Sequence, residues 1–226
     1  MKFMLYEDWY KKRLAKIVNI FGKEWFQQKQ VLELGACCGD FGIELLKLGS
    51  NVCFIDAREQ NINEIKHRLQ SYSFNPDVIE LDQNYPYNLE KKFDLVLHLG
   101  TLYHIEKWQQ DLESALSHSN VMILESKVNP IEGAEDSYVN EEWFLGTFNC
   151  LSPIFTQESV EKKLTNMGCK FIRFDDPNLN SGGWLINGVF TNHIYDWTYN
   201  QVQKGMYDTS EGPHSYHFRR FWLVLK

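Results

Sequence analysis

No stretch of the 226 residues comes near the roughly 20 consecutive apolar positions that a membrane-spanning helix requires. The opening segment MKFMLYEDWYKKRL lacks the apolar core and small-residue cleavage site of a secretory signal. These absences lead to the expectation of a soluble protein working in the cytoplasm. A basic stripe is also missing. With 23 Lys and Arg against 30 Asp and Glu, the net charge of −7 excludes a surface built mainly to neutralise phosphates, so nucleic acid is not an expected partner. The small basic run Lys11, Lys12, Arg13 and Lys16 reads as a solvated helix face. The five cysteines are an odd number in a chain too large to need disulfide staples, which suits a reducing compartment. There is no internal repeat, low-complexity tract or flexible linker, so 1–226 is read as a single domain, and 43% hydrophobic residues supply a sizeable core.

What is present is an alternation of strand and helix signals. Trp9, Leu14, Ile17, Val18, Phe21 and Trp25 recur at helical spacing, so 1–28 reads as a helical cover over the sheet edge or a cofactor. QVLELG, NVCFIDA, PDVIELD, KKFDLVLHLG and SNVMILES read as strands, the first buried and the last rich in residues that suit a buried parallel position. Between them, FGIELLKLG, EQNINEIKHRLQ and EKWQQDLESALSH read as helices, the second with Ile62, Ile65 and Leu69 on one face. This is the rhythm of an α/β, doubly wound parallel sheet. It breaks over 127–155, which is irregular and aromatic. It resumes with a Thr-capped helix, TQESVEKKLTNMG, and a strand, CKFIRFDD. It breaks again over 177–215 and ends on the strand HFRRFWLVLK.

The segment VLELGACCGDFG follows the first strand signal. A phosphate-binding loop needs Lys and then Ser or Thr after its glycines, where Asp40 and Phe41 stand. A dinucleotide fingerprint needs a glycine where Cys37 stands, and Gly39 comes one residue late. A metal centre on Cys37 and Cys38 lacks partners at chelating spacing, so no metal is expected, and the pair reads as small buried side chains packing a tight turn.

What remains is Glu33 at a strand end and a glycine turn running into a helix. This resembles motif I of the class I S-adenosylmethionine-dependent methyltransferases, with Cys37 in place of the central glycine. Three further landmarks carry the same resemblance: Asp56 ending the second strand, Asp82 with Gln83 ending the third, and FDLVLHLGTLYHIEKW around the fourth. The resemblance implies a seven-stranded Rossmann-like sheet with its last strand antiparallel, N-terminal helices, and insertions after strands five and six. It implies S-adenosyl-L-methionine as cofactor, bound by the half 29–126. Glu33, Gly35, Ala36, Cys37 and Gly39 would hold its methionine part, Asp56 with Ala57 and Arg58 its ribose, Asp82 and Gln83 its adenine, and Leu99 and Gly100 its methionine end. Tyr103 and His104 would sit beside the transferring methyl.

The second half offers acceptor-binding candidates. Residues 177–215 carry Trp184, Phe190, His193, Tyr195, Trp197, Tyr199, Tyr207 and His214 among glycines and asparagines, a composition that can line a polar and aromatic pocket. NHIYDW and RRFW resemble segments of methyltransferases that modify surface-polysaccharide sugars. That implies a sugar or glycan hydroxyl as acceptor, with 127–155 and 177–215 as its walls and Tyr103, His193, Tyr195, Asp196 and Trp197 as contacts. Transfer to a hydroxyl needs a base, for which His104 comes first and His193 second, with Asp196 near enough in sequence to orient an imidazole. The competing readings are methylation of RNA or protein, a noncatalytic S-adenosylmethionine-binding subunit, and a nicotinamide oxidoreductase, which shares the need for Asp56. No oligomeric state follows from the sequence.

Overall fold

The computed structural model describes residues 4–129, 131, 133–140, 148, 151–176, 179, 182–186, 189–194 and 218–226. Helix α1 (Met4–Phe21) and a 3-10 turn (Glu24–Phe26) lead into strand β1 (Gln30–Leu34). Then come α2 (Asp40–Lys47), β2 (Asn51–Asp56), α3 (Glu59–Leu69), β3 (Asp77–Glu80), β4 (Leu95–Leu99), a 3-10 turn (Leu102–His104), α4 (Trp108–His118) and β5 (Val121–Lys127). The remainder comprises β6 (Ser137–Val139), β7 (Ser152–Ile154), α5 (Gln157–Asn166), β8 (Lys170–Arg173), β9 (Gly182–Ile186), β10 (Val189–Ile194) and β11 (Arg219–Leu225).

Seven strands form one sheet in the order β3-β2-β1-β4-β5-β11-β8. β1 to β5 are mutually parallel, and β11 runs antiparallel between β5 and β8. The order reverses between β1 and β4, and the carboxyl ends of the strands on either side of that reversal are where an open α/β sheet forms its crevice. Side chains alternate across the sheet as its period of two requires. Leu32, Leu34, Val96, Met122 and Leu124 pack on one face with Trp108, Leu112 and Leu116 of α4 and Val160 and Leu164 of α5. Val31, Val52, Leu95, Leu97 and Ile123 pack on the other with Ile17 of α1, Ile43 and Leu45 of α2, and Ile65 and Leu69 of α3. Thr156 caps α5 as its sequence predicts, accepting the Ser159 N–H at 3.1 Å. Among the described residues no helix is long and apolar enough to cross a membrane.

Three sequence expectations are corrected. Arg13 is not on a solvated face: it is 1% exposed and its guanidinium meets Glu125 at 2.9 Å. α1 lies across the sheet face, and the fully buried Glu125 carboxylate draws the arginine inward. The stretch 177–215 is not irregular throughout, since β9 and β10 form an antiparallel pair with Val189 opposite Ile186. In 127–155, β6 and β7 form a short ladder.

Candidate active site

The turn between β1 and α2 is shaped by two close approaches. Gly35 has φ +61°, and a Cβ on it would come 2.1 Å from the Thr101 hydroxyl oxygen, so the turns after β1 and β4 meet where only glycine fits. Gly39 has φ +73° and packs on Phe54 and Ile65. Between them Cys37 also adopts a left-handed backbone, φ +50°, which costs a residue with a side chain about 1–2 kcal/mol. Cys37 is exposed and Cys38 half-exposed, contrary to the expectation of buried packing residues: the left-handed turn rolls the Cys37 side chain outward.

Asp56 ties this turn to the end of β2. Its Oδ2 accepts the Cys37 N–H at 2.8 Å, and its Oδ1 accepts the Arg58 N–H and the Asn61 amide, each at 2.9 Å. A carboxylate offers about four acceptor positions, so three donors leave room for a diol hydroxyl. The Ala36 N–H joins the same junction by donating to the Ile55 carbonyl at 2.8 Å. Ala57 is half-buried beside Asp56, and the Arg58 guanidinium lies 5.7 Å from the Phe148 ring centre. Asp82 follows β3; its Oδ1 takes both the backbone N–H and the side-chain amide of Asn84, at 2.9 and 3.0 Å.

Glu33 is buried at the end of β1 and accepts the Gly42 N–H at 2.8 Å, fastening the strand to α2. Burial pushes its pKa up to about 8, with the Gly42 N–H pulling the other way, so the carboxyl is neutral at pH 7. The folded chain therefore holds this proton more tightly than the unfolded chain does. The associated stability is complete below about pH 4.5 and is lost as pH rises to about 8. In urea denaturation across that range, the wild-type protein is expected to lose stability relative to Glu33→Gln, which cannot titrate there. Parallel curves for the two proteins would disprove the assignment.

Beyond β4, the Gly100 N–H donates to the Glu125 carbonyl at 3.0 Å, and Gly100 lies under the Trp9 indole of α1. Leu99 is buried opposite Glu125. The next turn presents Tyr103 and His104, ring centres 4.1 Å apart. Arg219 of β11 donates to the Tyr103 hydroxyl at 3.0 Å and grips both oxygens of Glu125, at 3.1 and 3.0 Å. Arg13 reaches the same carboxylate from α1 and also donates to the Leu179 carbonyl at 2.6 Å. Burial alone would raise the Glu125 pKa, but Arg219 and then Arg13 hold it below the usual carboxylate range. Tyr103 lines a cavity of about 10 Å³ with Lys127, Asn129, Pro153 and Phe155, room for roughly one water.

The structure thus gathers Glu33, Gly35–Gly39, Asp56–Arg58, Asp82, Leu99, Gly100, Tyr103 and His104 along the carboxyl ends of β1 to β4. Gln83 departs from its expected role in one respect. Its side chain points into the core, donating to Asp111 at 3.0 Å beside Tyr87 and His98, which bond the same carboxylate. His193 lies on β10, and Tyr195, Asp196 and Trp197 fall outside the described residues. Sequence reasoning missed Thr101, Asn61, Trp9, Arg13, Glu125 and Arg219. The last two carried a usable signal, a charge inside an otherwise apolar strand.

Sheet order, crossover and glycine turn are those of the class I methyltransferases. Residues 32–121 match the family model described as a methyltransferase domain. The comparison with curated proteins gave no match. Among solved structures, the chain resembles the N-terminal domain of EvdMO1 crystallised in the presence of SAH and D-fucose, with 16% identity, TM-score 0.64, and 97% of this chain and 83% of that one covered. It also resembles magnesium protoporphyrin IX methyltransferase from Synechocystis with bound SAM, with 14% identity, TM-score 0.59, and 100% and 86% covered. An S-adenosylmethionine-dependent methyltransferase from Clostridium acetobutylicum matches at 14% identity and TM-score 0.59, with 97% and 91% covered. Residues 32–121 thus match a methyltransferase domain, and the fold is the one seen in solved S-adenosylmethionine-dependent methyltransferases.

Proposed function

We propose that the chain is an S-adenosyl-L-methionine-dependent methyltransferase that O-methylates a small polar acceptor, a sugar or glycan hydroxyl, presented to the turn that carries Tyr103 and His104. The observation that carries this reading is the placement of Tyr103 and His104 on the turn after β4, at the carboxyl edge of the sheet, with the Tyr103 hydroxyl held by Arg219. The EvdMO1 domain, crystallised in the presence of SAH and D-fucose, supports a sugar acceptor.

In this reading the cradle Gly35–Gly39 and Gly100 takes the cofactor's methionine part, Asp56 its ribose, and the Asp82–Gln83 turn its adenine. Gln83 acts there through its backbone, since its side chain is committed to Asp111. The cofactor supplies a methyl group on positively charged sulfur. The protein aligns the acceptor hydroxyl and removes its proton. His104 is the base, and Tyr103, its hydroxyl fixed by Arg219, orients the acceptor. His193, Tyr195, Asp196 and Trp197 complete the acceptor wall.

Mass spectrometry of a panel of sugars and nucleotide sugars incubated with enzyme and S-adenosyl-L-methionine should reveal a one-methyl gain on a member of the panel. Methylation confined to RNA or protein would refute the proposal. Removing the Asp56 carboxylate is expected to weaken S-adenosylhomocysteine binding by about 1.5–3 kcal/mol, the scale for hydrogen bonds to a charged acceptor. Titration calorimetry on Asp56→Ala checks this, and unchanged affinity would take Asp56 out of the site.

A further inference from the structure

Two thiols stand on the cofactor turn itself. The Cys37 and Cys38 sulfurs are 3.8 Å apart on the outer side of the turn, Cys37 exposed and Cys38 half-exposed. Neither thiol has a part in the methyl-transfer scheme above. Arg68 of α3 reaches over them, its guanidinium donating to the Cys38 carbonyl and to Asp40. We propose that this pair is a reversible thiol-modification site for peroxides, in which an oxidised Cys37–Cys38 pair excludes the cofactor. The inference rests on the reading of residues 35–39 as part of the cofactor cradle.

The chemistry needs a thiolate and a resolving thiol side by side. The 3.8 Å sulfur–sulfur contact lets one thiol of the pair ionise while the other keeps its proton; Cys38 is the one whose pKa is lowered, by its contact with Cys37 and then by Arg68, against burial and the Asp40 carboxylate. The Cys37 thiol is pushed in the opposite direction, chiefly by that same contact, so it keeps its proton. Cys38 sulfur attacks a peroxide oxygen, the O–O bond breaks, and the departing oxygen takes a proton and leaves as alcohol or water. This gives a sulfenic acid. Cys37 sulfur then attacks Cys38 sulfur, the S–O bond breaks, and the Cys37 proton leaves with that oxygen as water. Two electrons pass from the thiols to the peroxide, and one disulfide forms.

Closing that bond cannot leave the turn as it is. Disulfides bridge α-carbons about 4.4–6.8 Å apart, whereas neighbours in a trans chain are held at about 3.8 Å. The sulfurs must also close from 3.8 Å to about 2.05 Å. The backbone must therefore shift, and the backbone concerned carries the Cys37 N–H to Asp56 and the Gly39 N–H to the Ala36 carbonyl. Modification thus pulls apart the junction of cradle and ribose carboxylate. The resulting strain makes the bond readily reducible, as a reversible modification requires.

The test titrates S-adenosylhomocysteine into the full chain, reduced and after hydrogen peroxide, with peptide mass spectrometry on each sample. Expected are binding by the reduced protein, at least a tenfold loss after oxidation, and a Cys37–Cys38 peptide lighter by two hydrogens. Full recovery with dithiothreitol is expected as well. Whatever affinity the reduced Cys38→Ser variant shows, peroxide should leave it unchanged, and no bridged Cys37 peptide should form. In the wild-type protein, bound S-adenosylhomocysteine should slow alkylation of Cys38, a readout that does not depend on the variant folding. A reduced protein that binds nothing refutes the cofactor cradle. A reduced protein that binds, but whose affinity survives oxidation or whose bridge joins other cysteines, refutes the thiol site alone.

Discussion

Turnover of the His104→Ala variant is expected to fall by two to four powers of ten, the range that a positioned general base contributes. The loss should fall mainly on turnover, because the proposed cofactor contacts come from the turns after β1, β2 and β3 and from Gly100, four residues before His104, and S-adenosylhomocysteine affinity should stay within about twofold of the wild-type value. pH distinguishes a lost base from a lost packing contact. Without the imidazole, the acceptor hydroxyl must ionise by itself or give its proton to hydroxide, so the residual rate should climb steadily with alkalinity where the wild-type profile has levelled off. His104 also packs on the Tyr103 ring, and the circular dichroism melt of the variant must match the wild type for the comparison to hold. Normal turnover in a folded variant would remove His104 from the chemistry.

The largest effect on stability is expected at Glu125. This carboxylate is fully buried and shared by Arg13, 1% exposed, and Arg219, 8% exposed. Burial brings the Arg13 pKa down to about 10, a shift that Glu125 opposes, so Arg13 remains charged at neutral pH. Replacing Glu125 by Gln keeps the shape and removes the only negative charge described between two buried cations. Breaking a buried pair from one side costs about 3–5 kcal/mol, and here two partners are left at once. Denaturant unfolding should show a loss at or above the upper end of that range. A loss below about 1 kcal/mol would mean that the arginines find other partners. Acid should mimic the variant: the Glu125 carboxylate titrates below the usual range when folded, so its contribution is present above about pH 4.5 and fades as pH falls through the folded value. Glu33 has the opposite dependence, so the two carboxyls weaken the fold at opposite ends of the pH scale.

The strands and helices of the sheet were legible because each is short, apolar and bounded by turn residues. The positions of Asp56 and Asp82 were legible, since a carboxylate closing or just following a strand sits on the sheet's carboxyl edge. Side-chain direction was not. Gln83 adjoins Asp82, yet its amide serves Asp111, a residue 28 positions away, and nothing local announces that pairing. Arg13 looked like its basic neighbours because a charge pattern along one helix carries no information about Glu125, 112 positions on. The β9 and β10 ladder had a visible signal in Asn187 and Gly188 between two runs of strand-forming residues, outweighed by the surrounding aromatic and glycine content. The exposure of Cys37 followed from a left-handed backbone that a side-chain-bearing residue rarely adopts, so composition pointed the wrong way.

The antiparallel insertion of β11 has a consequence for synthesis. β8 and β5 are never neighbours; the slot between them waits for a strand made only after residues 174–218 have left the ribosome. At about 5–20 residues per second this wait is on the order of several seconds. During it the apolar edge of β5, Val121 to Leu124, is an open template for pairing with another chain, and the Glu125 carboxylate has Arg13 but not Arg219. The arrival of β11 closes both edges at once, pairing along its whole length with β5 and along four residues with β8. The interval before β11 docks is therefore when a nascent chain is most exposed to strand-to-strand aggregation, and a chaperone that shields β5 would protect it then.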